Sequence, residues 1–165
     1  MADRTITERL QPSLLDRLTD HEPDKATESR DRRVIDINRL RDIVRRDLSW
    51  LLNANNLETE LDPEAYPHTT ESVLNYGVRD VSGLHSTEER AHLIRRSMQQ
   101  AIRRFEPRLN EGTLDIVQRK DAAKKVGIVS FDIVADMWAE PIPLELYLRS
   151  EIDVTTGEIQ LEAEG

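Results

Sequence analysis

A chain of 165 residues fits one domain, and with 38% hydrophobic and 33% charged residues much of it must be solvated or covered by a partner. The net charge of −9 argues against nucleic acid as the main ligand and against anionic membranes, since phosphate binding needs a basic footprint. No cysteine is present, which excludes disulfides, thiolate metal sites and thiol nucleophiles.

In the first segment Asp3, Arg4, Glu8, Arg9, Asp16 and Arg17 break up the leucines, so no apolar core of a secretory signal is expected there. Nowhere do about 18 apolar residues run together, as a membrane-spanning helix would need. A soluble, cytoplasmic protein is expected. Ile6, Leu10, Leu14 and Leu18, with Leu15 beside them, mark one apolar face of a short helix, and Pro12 suits its first position. From Thr19 to Arg32 only Pro23 and Ala26 are apolar, which reads as a linker. The division expected is an arm and charged linker over 1–31 and a main domain over 32–165. Leu14, Leu15 and Leu18 either dock on a neighbouring protein or pack on their own domain, and spacing leaves both open.

Arg33 to Leu52 places Val34, Ile37, Leu40, Ile43 or Val44, Leu48 and Leu51 at steps of three and four, the pattern of an amphipathic helix. Arg39, Asp42, Arg45 and Arg46 occupy its other face. The cluster Asn53, Asn55 and Asn56 is expected to end it, because asparagine tolerates the left-handed conformation of helix stops. Residues 57–70 hold Pro63 and Pro67 and read as a loop. Glu71 to Gly77 reads as one helical turn stopped at the glycine, followed by a compact loop with Val78, Val81 and Leu84 turned inward. Ser86 and Glu89 fit a capping box ahead of a second amphipathic helix. Its face is Ala91, Ile94, Met98, Ala101 or Ile102, and Phe105, with arginines toward its end and Pro107 as the stop.

Beyond Pro107 the period falls to two. Leu114, Ile116 and Gln118 alternate with Asp115, Val117 and Arg119; Val129, Phe131, Ile133, Ala135 and Met137 alternate with Ser130, Asp132, Val134 and Asp136; Leu144, Leu146 and Leu148 follow. Thr155-Thr156-Gly157 is a hairpin-type turn between Ile152 and Val154 on one side and Ile159 and Leu161 on the other. Helices first and strands after predict an α+β fold, N-terminal helices packed on a small, mostly antiparallel C-terminal β-sheet. The acidic tail, Glu158 to Gly165, is expected to fray.

The chemistry-bearing patterns are sparse. His21, His68, His85 and His92 form no ligand pair, the six glycines are scattered, and no Gly-x-Ser-x-Gly elbow occurs. Asp132 and Asp136 fall on one strand face, which reads as the solvated side of a sheet. No catalytic residue, cofactor site or metal site is therefore assigned, and neither is a small-molecule substrate. A peptidoglycan hydrolase using paired carboxylates is the alternative, and an adaptor binding by its leucine arm is another.

Phe105-Glu106-Pro107-Arg108-Leu109 is more informative. Pro107 cannot continue the helix and pushes Glu106 out of the α region, while Arg108 offers a planar fork suited to bidentate pairing. Two readings stay open on physics alone: a plain helix stop carrying a surface ion pair, which local chemistry favours, and a rigid corner with one acid and one base held apart, anchored by Phe105 and Leu109.

In this order the segments Pro12-Ser-Leu-Leu-Asp-Arg-Leu18, Asp47-Leu-Ser-Trp-Leu-Leu-Asn53, Glu71-Ser-Val-Leu-Asn-Tyr-Gly77, Phe105-Glu-Pro-Arg-Leu109, Phe131-Asp-Ile-Val-Ala135 and Thr156-Gly-Glu-Ile159 resemble the TssE family of type VI secretion baseplate subunits, related to the small wedge protein of contractile phage tails. Arg79-Asp80 departs from the Pro-Asp expected after the Tyr-Gly stretch. The resemblance implies a non-catalytic wedge subunit that works with TssF, TssG and TssK and templates the sheath of TssB and TssC by offering strands. It also implies that Glu106, Pro107 and Arg108 hold the core bundle of the wedge. A lysozyme-like label has accompanied such families. The arm leucines, Leu14, Leu15 and Leu18, complete the expected interaction residues.

Overall fold

The computed structural model describes residues 13–19, 23–24, 37–62, 64–80, 87–119, 127–137, 144–153 and 155–163. Within them the periodicities become elements. Helix α1 is Leu14–Leu18, α2 is Ile37–Leu52 and α3 is Thr87–Phe105; strands β1 to β4 are Asp115–Arg119, Ile128–Met137, Leu144–Asp153 and Ile159–Ala163. The expected beginnings of the helices, Arg33 to Asp36 before α2 and the Ser86 cap before α3, lie outside the described residues, as do Val81 and Leu84.

The four strands form one antiparallel sheet in the order β1-β2-β3-β4, and β2 pairs β3 from Ile128 opposite Asp153 to Met137 opposite Leu144. This is the α+β arrangement that the switch from helical to strand period predicts. One face of the sheet carries Ile116, Phe131, Ile133, Met137, Leu148 and Ile152, all fully buried. Against it α2 lies toward the β4 side and α3 toward the β1 side, and the two helices touch each other. Leu40, Ile43, Val44, Leu48, Leu51 and Leu52 of α2 and Ala91, Ile94, Met98, Ala101 and Ile102 of α3 close the core. Each large aliphatic side chain so buried contributes roughly 1.5–3 kcal/mol relative to exposure. Ser150 falls on the core face too, and its hydroxyl donates to the Phe131 carbonyl at 3.1 Å.

Three local expectations need correction. The tail does not fray at its start: Ile159–Ala163 pairs with β3, and burial of Ile159 with partial burial of Leu161 outweighs the acidic composition around them. Asparagine does not stop α2 by a left-handed residue, for no described non-glycine residue has a positive φ. The Asn53 side chain does the work instead. Its Nδ2 donates to the carbonyls of Ser49 at 2.7 Å and Ile159 at 2.9 Å, and its Oδ1 accepts the Ile159 N–H at 2.9 Å. The amide thus stands in for a strand neighbour along the outer edge of β4. Asp132, third, is not freely solvated: it sits half-buried on the outer face of the sheet, 3.9 Å from Arg119 and 3.8 Å from Arg149.

The turn before Gly77 is a short 3-10 helix, Val73–Asn75, capped by Ser72. Gly77 has φ +122°, and a Cβ there would lie 2.2 Å from the Ala54 carbonyl oxygen. That approach lets the Val78 N–H reach Ala54 O at 2.8 Å and the Asn56 N–H reach Val78 O at 2.9 Å, which ties the loop to the end of α2. Val78 packs against the core as expected.

Candidate interaction site at the Glu-Pro-Arg corner

Helix α3 ends where Glu106 N–H donates to Ile102 O at 2.9 Å, and Pro107 then has no N–H to continue the ladder. The chain turns so tightly that Leu109 N–H donates back to Glu106 O at 3.2 Å, and Leu109 bridges Met137 beside the sheet. Glu106 is buried, with 4% of its surface exposed; Pro107 is exposed, and Arg108 lies between.

The two charges are not held apart. Arg108 Nε donates to Glu106 Oε1 at 2.6 Å and its Nη2 donates to Oε2, the bidentate fork a guanidinium makes with a carboxylate. The Arg108 N–H also reaches Oε1 at 3.2 Å, and Nη2 continues to Asp47 Oδ2 on α2 at 2.7 Å. The expectation of separated charges fails because the tight turn closed by Leu109 N–H on Glu106 O brings side chains 106 and 108 together, where an unpaired buried carboxylate would be costly. Burial works against the Arg108 charge, but the bonds to Glu106 and Asp47 outweigh it and hold the guanidinium above its ordinary pKa.

Asp47 extends the network. Its Oδ1 accepts from Arg46 Nε at 3.0 Å and Nη2 at 2.7 Å, and Arg46 grips Asp16 of α1 through Nη1 at 2.7 Å and Nη2 at 3.1 Å. Ser13, the N-cap of α1, donates its hydroxyl to Asp16 and accepts the Asp16 N–H at 3.3 Å. The Arg46 hydrogen bonds lower the Asp16 pKa from 3.8 to about 2 despite burial, and the same contact raises that of Arg46. The chain of charges runs Asp16, Arg46, Asp47, Arg108, Glu106, alternating in sign. Arg46 also lies 4.8 Å from the ring centroid of the exposed Trp50. Tyr76 packs edge-on against Phe105 with centroids 5.2 Å apart, and burial first, then the charges of Asp47 and Glu106, pushes its phenol upward.

Arm and corner are thereby brought together, though by residues the leucine spacing did not single out. Helix α1 docks by its polar side, so Leu14, Leu15 and Leu18 stay exposed at 69%, 48% and 74%. Asp16, Arg46 and Asp47 went unremarked as site residues. The one available signal was a carboxylate placed within a leucine-rich helix where it faces away from the leucine stripe.

Among the described residues no three of His, Asp and Glu converge on a point that could hold a metal ion, and no helix is long and apolar enough to cross a membrane. A cavity of roughly 240 Å³ opens elsewhere, between Leu57, Leu61, Tyr66 and Asn75, with Glu58 and Arg79 as its charged groups. It contains no carboxylate pair.

Residues 38–142, from α2 through β2, match the model of the family described as baseplate wedge protein gp25. The match covers more than half of the chain and includes Arg46, Asp47, Tyr76 and the Glu-Pro-Arg corner. No curated protein and no solved structure matches the chain. The chain belongs to the gp25 family of baseplate wedge proteins.

Proposed function

We propose that this gp25-family chain is a non-catalytic structural subunit of a type VI secretion baseplate in the cytoplasm, joining the wedge to the sheath and templating sheath assembly. The observation that carries the reading is the family match over residues 38–142, which spans the α2–α3 layer and the corner that closes it. In this reading Pro107 and Arg108 meet the wedge partners TssF, TssG and TssK, and Glu106 positions Arg108. Leu14, Leu15 and Leu18 form a second contact, on an arm over 1–31 that serves a wedge domain over 32–165. The sheet supplies the edge to which strands of TssB and TssC add, since the backbone groups of an edge strand recruit another chain.

A hydrolase gains no support from the geometry. A general acid needs a carboxyl in an apolar pocket that faces substrate, whereas the buried Glu106 faces Arg108.

The test is reconstitution with the wedge and sheath subunits. Glu106→Gln and Arg108→Lys keep side-chain bulk but lose the fork, and should leave a folded protein that reduces wedge assembly and sheath polymerisation. Leu14→Asp with Leu18→Asp should weaken the wedge without altering the melting temperature. Normal sheath formation with all of these variants would overturn the assignment, and cell-wall turnover by purified protein, lost on changing one carboxylate, would replace it with a hydrolase.

A further inference from the structure

The outward face of α3 is charged in a way its surroundings do not explain. Helices α2 and α3 hold nine arginines against four carboxylates, an excess of five positive charges in a chain whose net charge is −9. On α3, His92, Arg95, Arg96, Gln99 and Arg103 recur at helical spacing and form one stripe about 16 Å long. A carboxylate three or four residues away would stabilise a surface arginine on a helix. Around Arg95 and Arg96 those positions are Ala91, His92, Leu93, Met98, Gln99 and Gln100, although the chain contains 32 carboxylates.

Space does not supply what the helix lacks. Arg95 and Arg96 are exposed, and neither has an ion pair among the described residues. Among the described residues Arg103 pairs with Glu111 alone, at 3.7 Å with both side chains well exposed, a contact of little strength. Among the described residues, then, Arg95 and Arg96 hold no partner in the fold.

We infer that the α3 stripe is a docking surface for the acidic face of a protein partner, whose carboxylates Arg95 and Arg96 take in bidentate pairs. Charge complementarity selects this occupant. A guanidinium is a planar fork that matches a carboxylate in hydrogen-bond geometry as well as charge. A phosphate backbone would be drawn to the stripe but repelled by the excess acid elsewhere in the chain. The stripe is narrow and straight, which suits one helix with glutamates along one side. The inference stands on α3 alone and does not depend on the baseplate reading.

The experiment titrates the full chain into a labelled, alanine-rich helical peptide with one glutamate stripe, beside its glutamine counterpart and a DNA duplex, and reads anisotropy at low and physiological salt. The glutamate peptide should bind, more weakly as salt rises, and the glutamine peptide should not. Arg95→Gln with Arg96→Gln should weaken binding roughly tenfold, with an unchanged melting temperature because both side chains are exposed. Equal binding by wild type and variant, or no binding of the glutamate peptide, would overturn the inference. Tighter binding of the duplex would overturn it in favour of a nucleic acid. Arg108→Lys serves as the separating control: it should not change peptide binding even if it disrupts wedge assembly.

Discussion

Arg108 and Asp47, 61 positions apart in sequence, share a hydrogen bond of 2.7 Å that ties the turn after α3 to the middle of α2. Because Arg108 also forks onto the buried Glu106, it neutralises a carboxylate that has no other cation partner among the described residues. Arg108→Ala should therefore cost about 2–4 kcal/mol, the penalty of leaving a buried charge uncompensated. Asp47→Ala should cost only about 1 kcal/mol, since Arg108 keeps Glu106. Urea midpoints of the two variants check the order, and equal losses would mean that the fork carries no special weight.

The attachment of α1 should depend on acid. Asp16 has its pKa lowered from 3.8 to about 2, chiefly by hydrogen bonding to Arg46. A carboxyl depressed in the folded state contributes stability that is present above its unfolded value and lost as pH falls through its folded value. The docked arm should thus be fully held above pH 3.8 and released between there and about pH 2. Fluorescence of Trp50, which stacks on Arg46, reports the step, and Asp16→Asn should abolish it.

Two glycines should respond differently to the same methyl group. Gly77→Ala adds a clash with the Ala54 carbonyl to a strained φ and should destabilise by roughly 2–4 kcal/mol. Gly157, at φ +78° in the β3–β4 turn, has nothing within 4 Å of its Cβ position, so Gly157→Ala should cost only about 1–2 kcal/mol. Denaturant midpoints distinguish the two.

Asn53→Ala should remove both hydrogen bonds to Ile159 and expose the start of β4. A loss of about 1–2 kcal/mol is expected, with faster amide exchange at Ile159 than at Phe131 in the sheet centre. Unchanged exchange at Ile159 would show that pairing with β3 alone holds the edge.

The helices and strands were legible because their apolar residues repeat at three to four and at two. Val44, Leu48, Met98, Phe131 and Leu148 all lie in the core. The corner was legible only in part. Pro107 announced a stop, but the pairing of Glu106 with Arg108, and of both with Asp47, depends on where α2 lies against α3, and no local pattern encodes that. Arg46 read as one more charge on a solvated helix face because its partner Asp16 is 30 positions away. The tail misled for the opposite reason: its acidic residues from Glu158 to Gly165 suggested fraying, while Ile159 and Leu161, the expected far side of the hairpin, were enough to seat a strand.

Asn53 makes the two edges of the sheet unequal. An added strand reaching β4 at its first residue must break two existing bonds, whereas among the described residues β1 has β2 as its one strand neighbour. On the proposed strand addition, an incoming chain should therefore take the β1 flank before the β4 flank.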